Sequence, residues 1–331
     1  MNISNSVVLV TVTYGNRIDL VSKLVSTVLG NPSVSSIVLV DNGSSSDLSP
    51  LTEEYGARVD IIDMGRNTGS AVAYAAGIER ALATTAAPYI WLMDDDNVPV
   101  QGALEILLEI LSQGSSSPVG EVDGVFGYRE SHQAAISSGA STHRRSSFLG
   151  FHVLDVPGKL ADRLTGRTKR HSPAHKLLEV PFGPYGGLLV RREVLRRIGL
   201  PMSELVLYAD DSEYTSRITA SGGRLMIATS AALEDLELSW NVATPKLGAV
   251  RGLLAGEGDF RAYYSVRNRV WFDWNKGADS RLLFVANAVL YTFIISACGV
   301  RFGKLKRTRL LLTAIAHGLA GRLGVNRAYP L

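Results

Sequence analysis

The chain has 331 residues and a mass of 35.6 kDa, too long for one minimal domain and enough for one large domain with an appendage. A hydrophobic share of 46% with 20% charged residues excludes a disordered or collagen-like polymer. A single cysteine, Cys298, excludes an internal disulfide or a cysteine-built zinc site, and points to a reducing compartment.

In chain order, Met1–Ser6 is polar and the apolar run Val7–Val12 is too short for the core of a signal peptide, so the chain is expected on the cytoplasmic side. Val7–Thr13 is largely β-branched and reads as a strand buried on both faces. Arg17–Leu29 carries Ile18, Val21, Leu24, Val25 and Val28 at helical spacing. Ile37–Val40 and Val59–Ile62 are further strands, the first closed by the turn tripeptide Asp41-Asn42-Gly43. The alanine-rich Ser70–Ala83 predicts a helix, and Tyr89–Met93 a strand running into Asp94-Asp95-Asp96. Strands alternating with helices over short connections predict a parallel, doubly wound sheet whose ligands lie beyond the carboxyl ends of its strands. Gly114–Gly120 reads as a loop, and residues 143–176, rich in Lys and Arg with two prolines and three glycines, as a mobile basic excursion. Regular structure resumes at Gly186–Arg191, with helices over Arg192–Ile198 and Ser212–Ser221, the latter stopped by Gly222-Gly223. There is no internal repeat.

Two acidic clusters stand out. Adjacent carboxylates repel, and on a chain turning away from a strand Asp94 and Asp96 could converge on one hard cation; a solvated acidic turn is the plainer reading. Asp210-Asp211-Ser212-Glu213 opens a helix, where the macrodipole favours carboxylates and where a base for a hydroxyl group would also project into a cleft.

Six segments follow one another at the ends of these elements: Val12-Thr13-Tyr14, Val40-Asp41-Asn42-Gly43-Ser44, Arg66-Asn67-Thr68-Gly69, Leu92-Met93-Asp94-Asp95-Asp96, Gly186–Arg192 and Tyr208–Tyr214. In that order, over about residues 5 to 240, they resemble family 2 glycosyltransferases of the GT-A fold. The subset most similar comprises bacterial rhamnosyl- and galactofuranosyltransferases of cell-surface polysaccharide synthesis. The resemblance implies an α/β GT-A fold over residues 1–245, a Rossmann-like, mainly parallel sheet with helices on both faces. Composition alone predicts that a helical, basic, membrane-facing extension follows over 246–331. The resemblance also implies an inverting transfer from a dTDP- or UDP-linked sugar to a hydroxyl of a glycan, free or lipid-linked. Asp41 would meet the base or ribose, Asn67 would support the nucleotide pocket, and Asp94 would sit near the ribose, with Thr13 and Asp95 also in the donor site. Asp96 would ligate Mg²⁺ or Mn²⁺, and Asp211 would be the general base, with Asp210 or Glu213 in reserve. Members of the subset often place a histidine metal ligand where this chain has Asp235, a harder ligand that still suits those ions. Tyr263–Asn268 resembles an element near the donor diphosphate, which would make Arg267 and Asn268 donor-binding; an ordinary amphipathic helix is the alternative. Trp240 reads as a core residue or as a ring stacking on an acceptor sugar.

The net charge of +3 conceals an asymmetry, because from Arg301 onward there are seven Lys/Arg and no Asp/Glu. That end carries +7 and residues 1–300 sum to −4, which suits an anionic surface. Leu282–Val300 is uncharged and bracketed by Arg281 and Arg301, long enough to span a bilayer. Its polar residues and the shorter run Leu310–Ala320 favour instead a helix pair lying on inner-leaflet lipid, peripheral to the membrane. A sugar-nucleotidyltransferase would need more than the single glycine of Tyr14-Gly15-Asn16-Arg17, and a dinucleotide enzyme would need G-x-G-x-x-G. A degenerate, non-catalytic assembly subunit is the competing reading. Nucleic acid is not expected as a partner, since the basic residues lack interleaved aromatics.

Overall fold

A computed structural model describes residues 6–114, 120–130, 133, 144–158, 177–237, 248–256 and 258–331. The loop residues 115–119, residues 159–176 of the basic excursion and Trp240 lie outside the described residues. Two compact units form. The first combines Met1–Ala134, Ala174–Val206 and Asp210–Leu238, and the second Ala135–Pro173, Leu207–Ala209 and Ser239–Leu331.

The first unit holds the sheet. Its strands are β1 (Val7–Gly15), β2 (Val34–Ser44), β3 (Val59–Asp63), β4 (Tyr89–Asp94), β5 (Asn97–Pro99), β6 (Gly124–Tyr128), β7 (Leu177–Val180), β8 (Leu188–Arg191) and β9 (Leu225–Asp235). They lie in the order β3-β2-β1-β4-β8-β6-β9-β5, with β7 also paired to β9. The expected parallel arrangement covers β3-β2-β1-β4. Beyond β4 the sheet is mixed, because β8 runs antiparallel between β4 and β6, and β9 is parallel to β6 but antiparallel to β5 and β7.

Both faces of β1 are covered, which is why its sequence shows no polar alternation. Val7 and Leu9 face α1 (Ile18–Leu29) and α4 (Ala103–Ser112), sharing one core with Val21, Leu24 and Val25 of the first helix and Leu104, Leu107 and Leu108 of the second. On the other face Val10 and Val40 meet α3 (Ser70–Thr84) at Gly77. α2 (Ser49–Tyr55) packs beside β3. Among the described residues, two further short helices belong to the unit, α5 (Arg192–Ile198) and α6 (Asp210–Ala220); the latter starts two residues before its expected boundary, so both aspartates lie in its first turn.

In register, Thr13 sits opposite Asp41, Val12 opposite Asp94, and Asp41 opposite Asp63. The carboxyl ends of four neighbouring strands, β3-β2-β1-β4, therefore present their polar residues in one row, at the point where strand order reverses around β1.

The second unit contains α7 (Gly248–Ala255), α8 (Asp259–Phe272), a π-helical turn at Asp273–Gly277, α9 (Arg281–Arg301) and α10 (Leu305–Leu319). Asp273 is buried at the end of α8, where it pairs with Arg269 at 2.8 Å and accepts the Leu149 amide at 3.0 Å. Burial raises its carboxyl to about 6 against the pull of Arg269.

Candidate active site

The three aspartates after β4 point to different partners. Asp94 Oδ1 accepts the Tyr74 hydroxyl at 3.1 Å, and its Oδ2 accepts Arg129 Nη1 at 3.0 Å. Asp95 turns inward to Thr13 Oγ1 at 2.8 Å and Arg17 Nε at 2.9 Å, so Thr13 and Asp95 hold the strand ends together. Asp96 Oδ2 accepts Arg17 Nη2 at 3.0 Å, and its Oδ1 accepts Asn97 Nδ2 at 3.0 Å. Burial first, then the Asp94 and Asp95 charges, push the Asp96 carboxyl up to about 6 despite Arg17 and Arg129.

Asp235 reaches this cluster through strand register. β5 and β9 pair antiparallel with Asn97 opposite Asp235. Asn97 Nδ2 then bridges Asp96 Oδ1 and Asp235 Oδ1, the latter at 2.8 Å, while Arg129 clasps Asp235 through Nε at 2.8 Å and Nη2 at 2.7 Å. Arg129 thereby ties Asp235 to Asp94, and Arg17 ties Asp95 to Asp96. Gly186 closes the side of the cluster: a Cβ there would fall on Asp94 Oδ2 and within 2.8 Å of Arg129 Nη1 and Asn97 Oδ1.

The second acidic pair approaches through α3. Ser70 Oγ donates to Asp210 Oδ2 at 2.9 Å, and Tyr74, one turn along the same helix, donates to Asp94. Four residues of helix rise about 6 Å, so one face of α3 brings the two acidic clusters together. The Tyr74 ring stacks on Tyr185 at 4.0 Å, and Tyr185 lies beside Asp210 and Asp211. Asp210 is buried, and burial followed by the Asp211 charge raises its carboxyl to about 8. Asp211 is half-buried, with Oδ1 accepting the Ser212 amide. Glu213 is buried in an ion pair with Arg217 one turn on. The chain approaches this helix through Val206, Tyr208 and Ala209, all at positive φ without being glycine. Such strain is most often retained where a fold must aim particular side chains.

Asp41 and Asn67 lie at the β2 end of the row. Asp41 Oδ1 accepts the Ser44 amide at 2.6 Å, closing its own turn. Asn67 Oδ1 accepts the Gly69 amide at 3.0 Å and Asn42 Nδ2 at 3.2 Å, while Asn42 Oδ1 takes the Thr68 amide and hydroxyl at 2.8 Å. Arg267 and Asn268 belong to the second unit and are buried there. Arg267 donates to the Gly324 carbonyl at 2.6 Å and to Asn268 Oδ1 at 2.8 Å, its guanidinium lying over the rings of Tyr263 and Tyr264. Asn268 donates to the carbonyls of Leu207 at 2.7 Å and Tyr208 at 3.0 Å.

Among the described residues no three His, Cys, Asp or Glu side chains are grouped so as to hold a metal ion. The donor types near this turn, the carboxylates of Asp94, Asp96 and Asp235 and the Asn97 Oδ1, which is buried with no hydrogen-bond partner, are ones that suit Mg²⁺ or Mn²⁺ chemically. As arranged here the carboxylates are engaged by Arg17 and Arg129, with which an ion would have to compete.

Sequence reasoning did not single out Ser70, Tyr74, Asn97, Arg129 or Arg17 as site residues. Tyr74 did carry a signal, as the one aromatic in an alanine-rich helix, and Arg17 followed directly on the first strand's turn. Arg129 carried none.

Residues 8–199 match the family model described as glycosyl transferase family 2, more than half of the chain. The chain belongs to that family, and its fold is GT-A. The succinoglycan biosynthesis protein ExoU of Rhizobium meliloti (strain 1021) is 25% identical over 225 residues, which are 65% of this chain and 57% of that protein. The chain thus spans just over half the length of that curated relative. The crystal structure of S. aureus TarS 1-349 in complex with UDP-GlcNAc shares the fold with a TM-score of 0.54 at 12% identity, over 95% of this chain and 80% of that one.

Proposed function

We propose that this protein is an inverting, metal-dependent glycosyltransferase that moves a sugar from a nucleoside-diphosphate donor to a hydroxyl of a glycan, carried on lipid. The observation that carries this reading is the α3 face on which Ser70 engages Asp210 and Tyr74 engages Asp94, because it joins a donor-side acidic cluster to a base-side one. Family membership supports the transfer, the UDP-GlcNAc bound in the TarS structure supports a nucleotide-sugar donor, and the name of ExoU supports a polysaccharide product. For the sugar we favour rhamnose from a dTDP donor or galactofuranose from a UDP donor.

In this reading Asp41 and Asn67 line the nucleotide end and Asp94 meets the ribose. Thr13 and Asp95 fix the strand ends from within. Asp96 and Asp235 would hold Mg²⁺ or Mn²⁺, whose charge would stabilise the leaving diphosphate. Asp211 accepts the acceptor's proton as its oxygen bonds to the anomeric carbon and the bond from that carbon to the diphosphate oxygen breaks. Asp211 suits the task better than Asp210, which stays protonated at neutral pH and is already bound to Ser70. Asn268 serves by bracing the carbonyls of Leu207 and Tyr208, the residues that lead into α6.

One observation favours a second reading, a non-catalytic subunit: Arg17 and Arg129 already neutralise the carboxylates that a cation needs. Calorimetric titration of UDP and dTDP with and without Mn²⁺ separates the two. The transferase reading expects metal-dependent binding that Asp96→Ala removes. It also expects Asp211→Asn to keep that binding while turnover falls by about 10²–10⁴. Binding indifferent to Mn²⁺, with no turnover, leaves the subunit reading ahead.

A further inference from the structure

The α9 helix has two faces of unlike fate. Phe284, Asn287, Ala288, Tyr291, Ile295 and Gly299 are buried. Asn287 donates to the Ser146 carbonyl at 2.8 Å and accepts the Val153 amide at 2.9 Å, while Tyr291 stacks on Phe151 at 5.1 Å. Gly299 lies so close to α10 that a Cβ would land on Thr308 Oγ1. This face is fixed to the rest of its unit.

The opposite face is apolar and bare. Leu282, Val285, Val289, Phe293 and Val300 are between 47% and 87% exposed, at spacings of three, four, four and seven residues. They form one stripe about 27 Å long at 1.5 Å per residue, with no charged residue between Arg281 and Arg301. A contiguous patch of this kind marks an interaction surface. Next to its end stand Arg301, Lys304, Lys306 and Arg309, all exposed, with Phe302 and Leu305 between them. No Asp or Glu follows Asp279 in the sequence. Protein interfaces are depleted in lysine, whereas a basic cluster beside an apolar helical face suits anionic headgroups.

We propose that α9 docks in the plane of an anionic lipid bilayer, with its Leu282–Val300 stripe among the acyl chains and the basic start of α10 on the headgroups. At 21 residues α9 is long enough, and apolar enough, to cross a membrane by length and composition. A crossing would strip Asn287 of its two backbone partners and separate the Gly299–Thr308 contact. Lying flat keeps both and submerges only the bare face. The partner is a lipid surface, and the inference does not depend on the donor-site reading.

The test is co-sedimentation of the full chain with phosphatidylcholine vesicles, with and without about 30% phosphatidylglycerol. The expected result is binding to the anionic vesicles, weakened at least tenfold by Val289→Gln with Phe293→Gln. Lys304→Ser with Lys306→Ser should weaken it at least tenfold and remove most of its salt sensitivity. Asp96→Ala should bind vesicles like the parent even when it has lost nucleotide binding, which keeps failure of the two proposals distinguishable. Phe293→Trp reads the depth by its fluorescence relative to the parent. Phe293 lies near the middle of α9, so quenching by lipids brominated high on the acyl chain is expected. Quenching by lipids brominated at the chain ends indicates a span and overturns the proposal. Equal binding to both vesicles overturns it, as does no binding with a concentration-dependent dimer that Phe293→Gln dissociates.

Discussion

Asp210 and Asp211 are adjacent and chemically identical, yet burial separates their tasks. The unfolded Asp210 carboxyl titrates at its ordinary value of 3.8 and the folded one at about 8. Between those values the native state holds the extra proton, so stability falls as pH rises from about 4 to about 8 and levels off above. The slope from this group is at most about 1.4 kcal/mol per pH unit. Asp210→Asn can still accept from Ser70 but does not ionise. It should match the parent in denaturant unfolding at pH 4 and exceed it progressively toward pH 8; a parent-like slope in the variant would show that Asp210 is not the group responsible. The resemblance already put Asp211 first as the base with Asp210 in reserve, but the physical ground for that order, the burial of Asp210 beside α3, where Ser70 lies 140 residues away in the chain, exists only in the fold.

At the level of elements, the site depends on one pairing that has almost no sequence signal. β5 is three residues long, too short to show periodicity, and exists as a strand because β9 supplies its partner. That pairing sets Asn97 against Asp235 and delivers an acid to the Asp94–Asp96 turn from a strand more than a hundred residues later. Arg129 at the end of β6 then binds Asp94 and Asp235 from a buried position. Arg129→Gln should cost about 3 kcal/mol, because two carboxylates lose their compensating charge. Asp235→Asn in the same chain should recover part of the loss, with a coupling energy of about 1–3 kcal/mol in urea unfolding. Additive losses would mean that the pair does not act as one unit. The β-branched β1 and the helical spacing of α1 were plain in the sequence, because each is fixed by burial against near neighbours in the same unit.

For the whole molecule, the compact units do not follow chain order, since the first takes back Ala174–Val206 and Asp210–Leu238 after the second has begun. A nucleoside diphosphate held by the native first unit should raise the melting midpoint by mass action, worth about 2.7 kcal/mol at a ligand concentration a hundredfold above Kd. Scanning fluorimetry with UDP and dTDP should show that rise with Mn²⁺ present and its loss on adding a chelator. A rise unaffected by chelation would assign the diphosphate to Arg17 and Arg129 instead of a metal. The basic end was visible as composition, and the polar residues within the apolar run already favoured a flat-lying helix over a span. What the sequence could not supply is the packing of Asn287 against Ser146 and Val153, the contact on which the proposed flat docking rests.

By itself the sequence determined the GT-A class, the family and the strand ends where polar residues gather. Strand and helix periodicity, turn tripeptides and motif order are local patterns, written within a few residues of one another. Only the tertiary structure decided that Asp95 turns inward, that Asp210 is the protonated partner, that Asp235 joins the acidic turn, and that Arg267 stacks on tyrosines inside its own unit. Each of those outcomes depends on a contact between residues far apart in the chain, or on how much water the fold removes from one carboxylate, and neither quantity is carried by neighbouring letters.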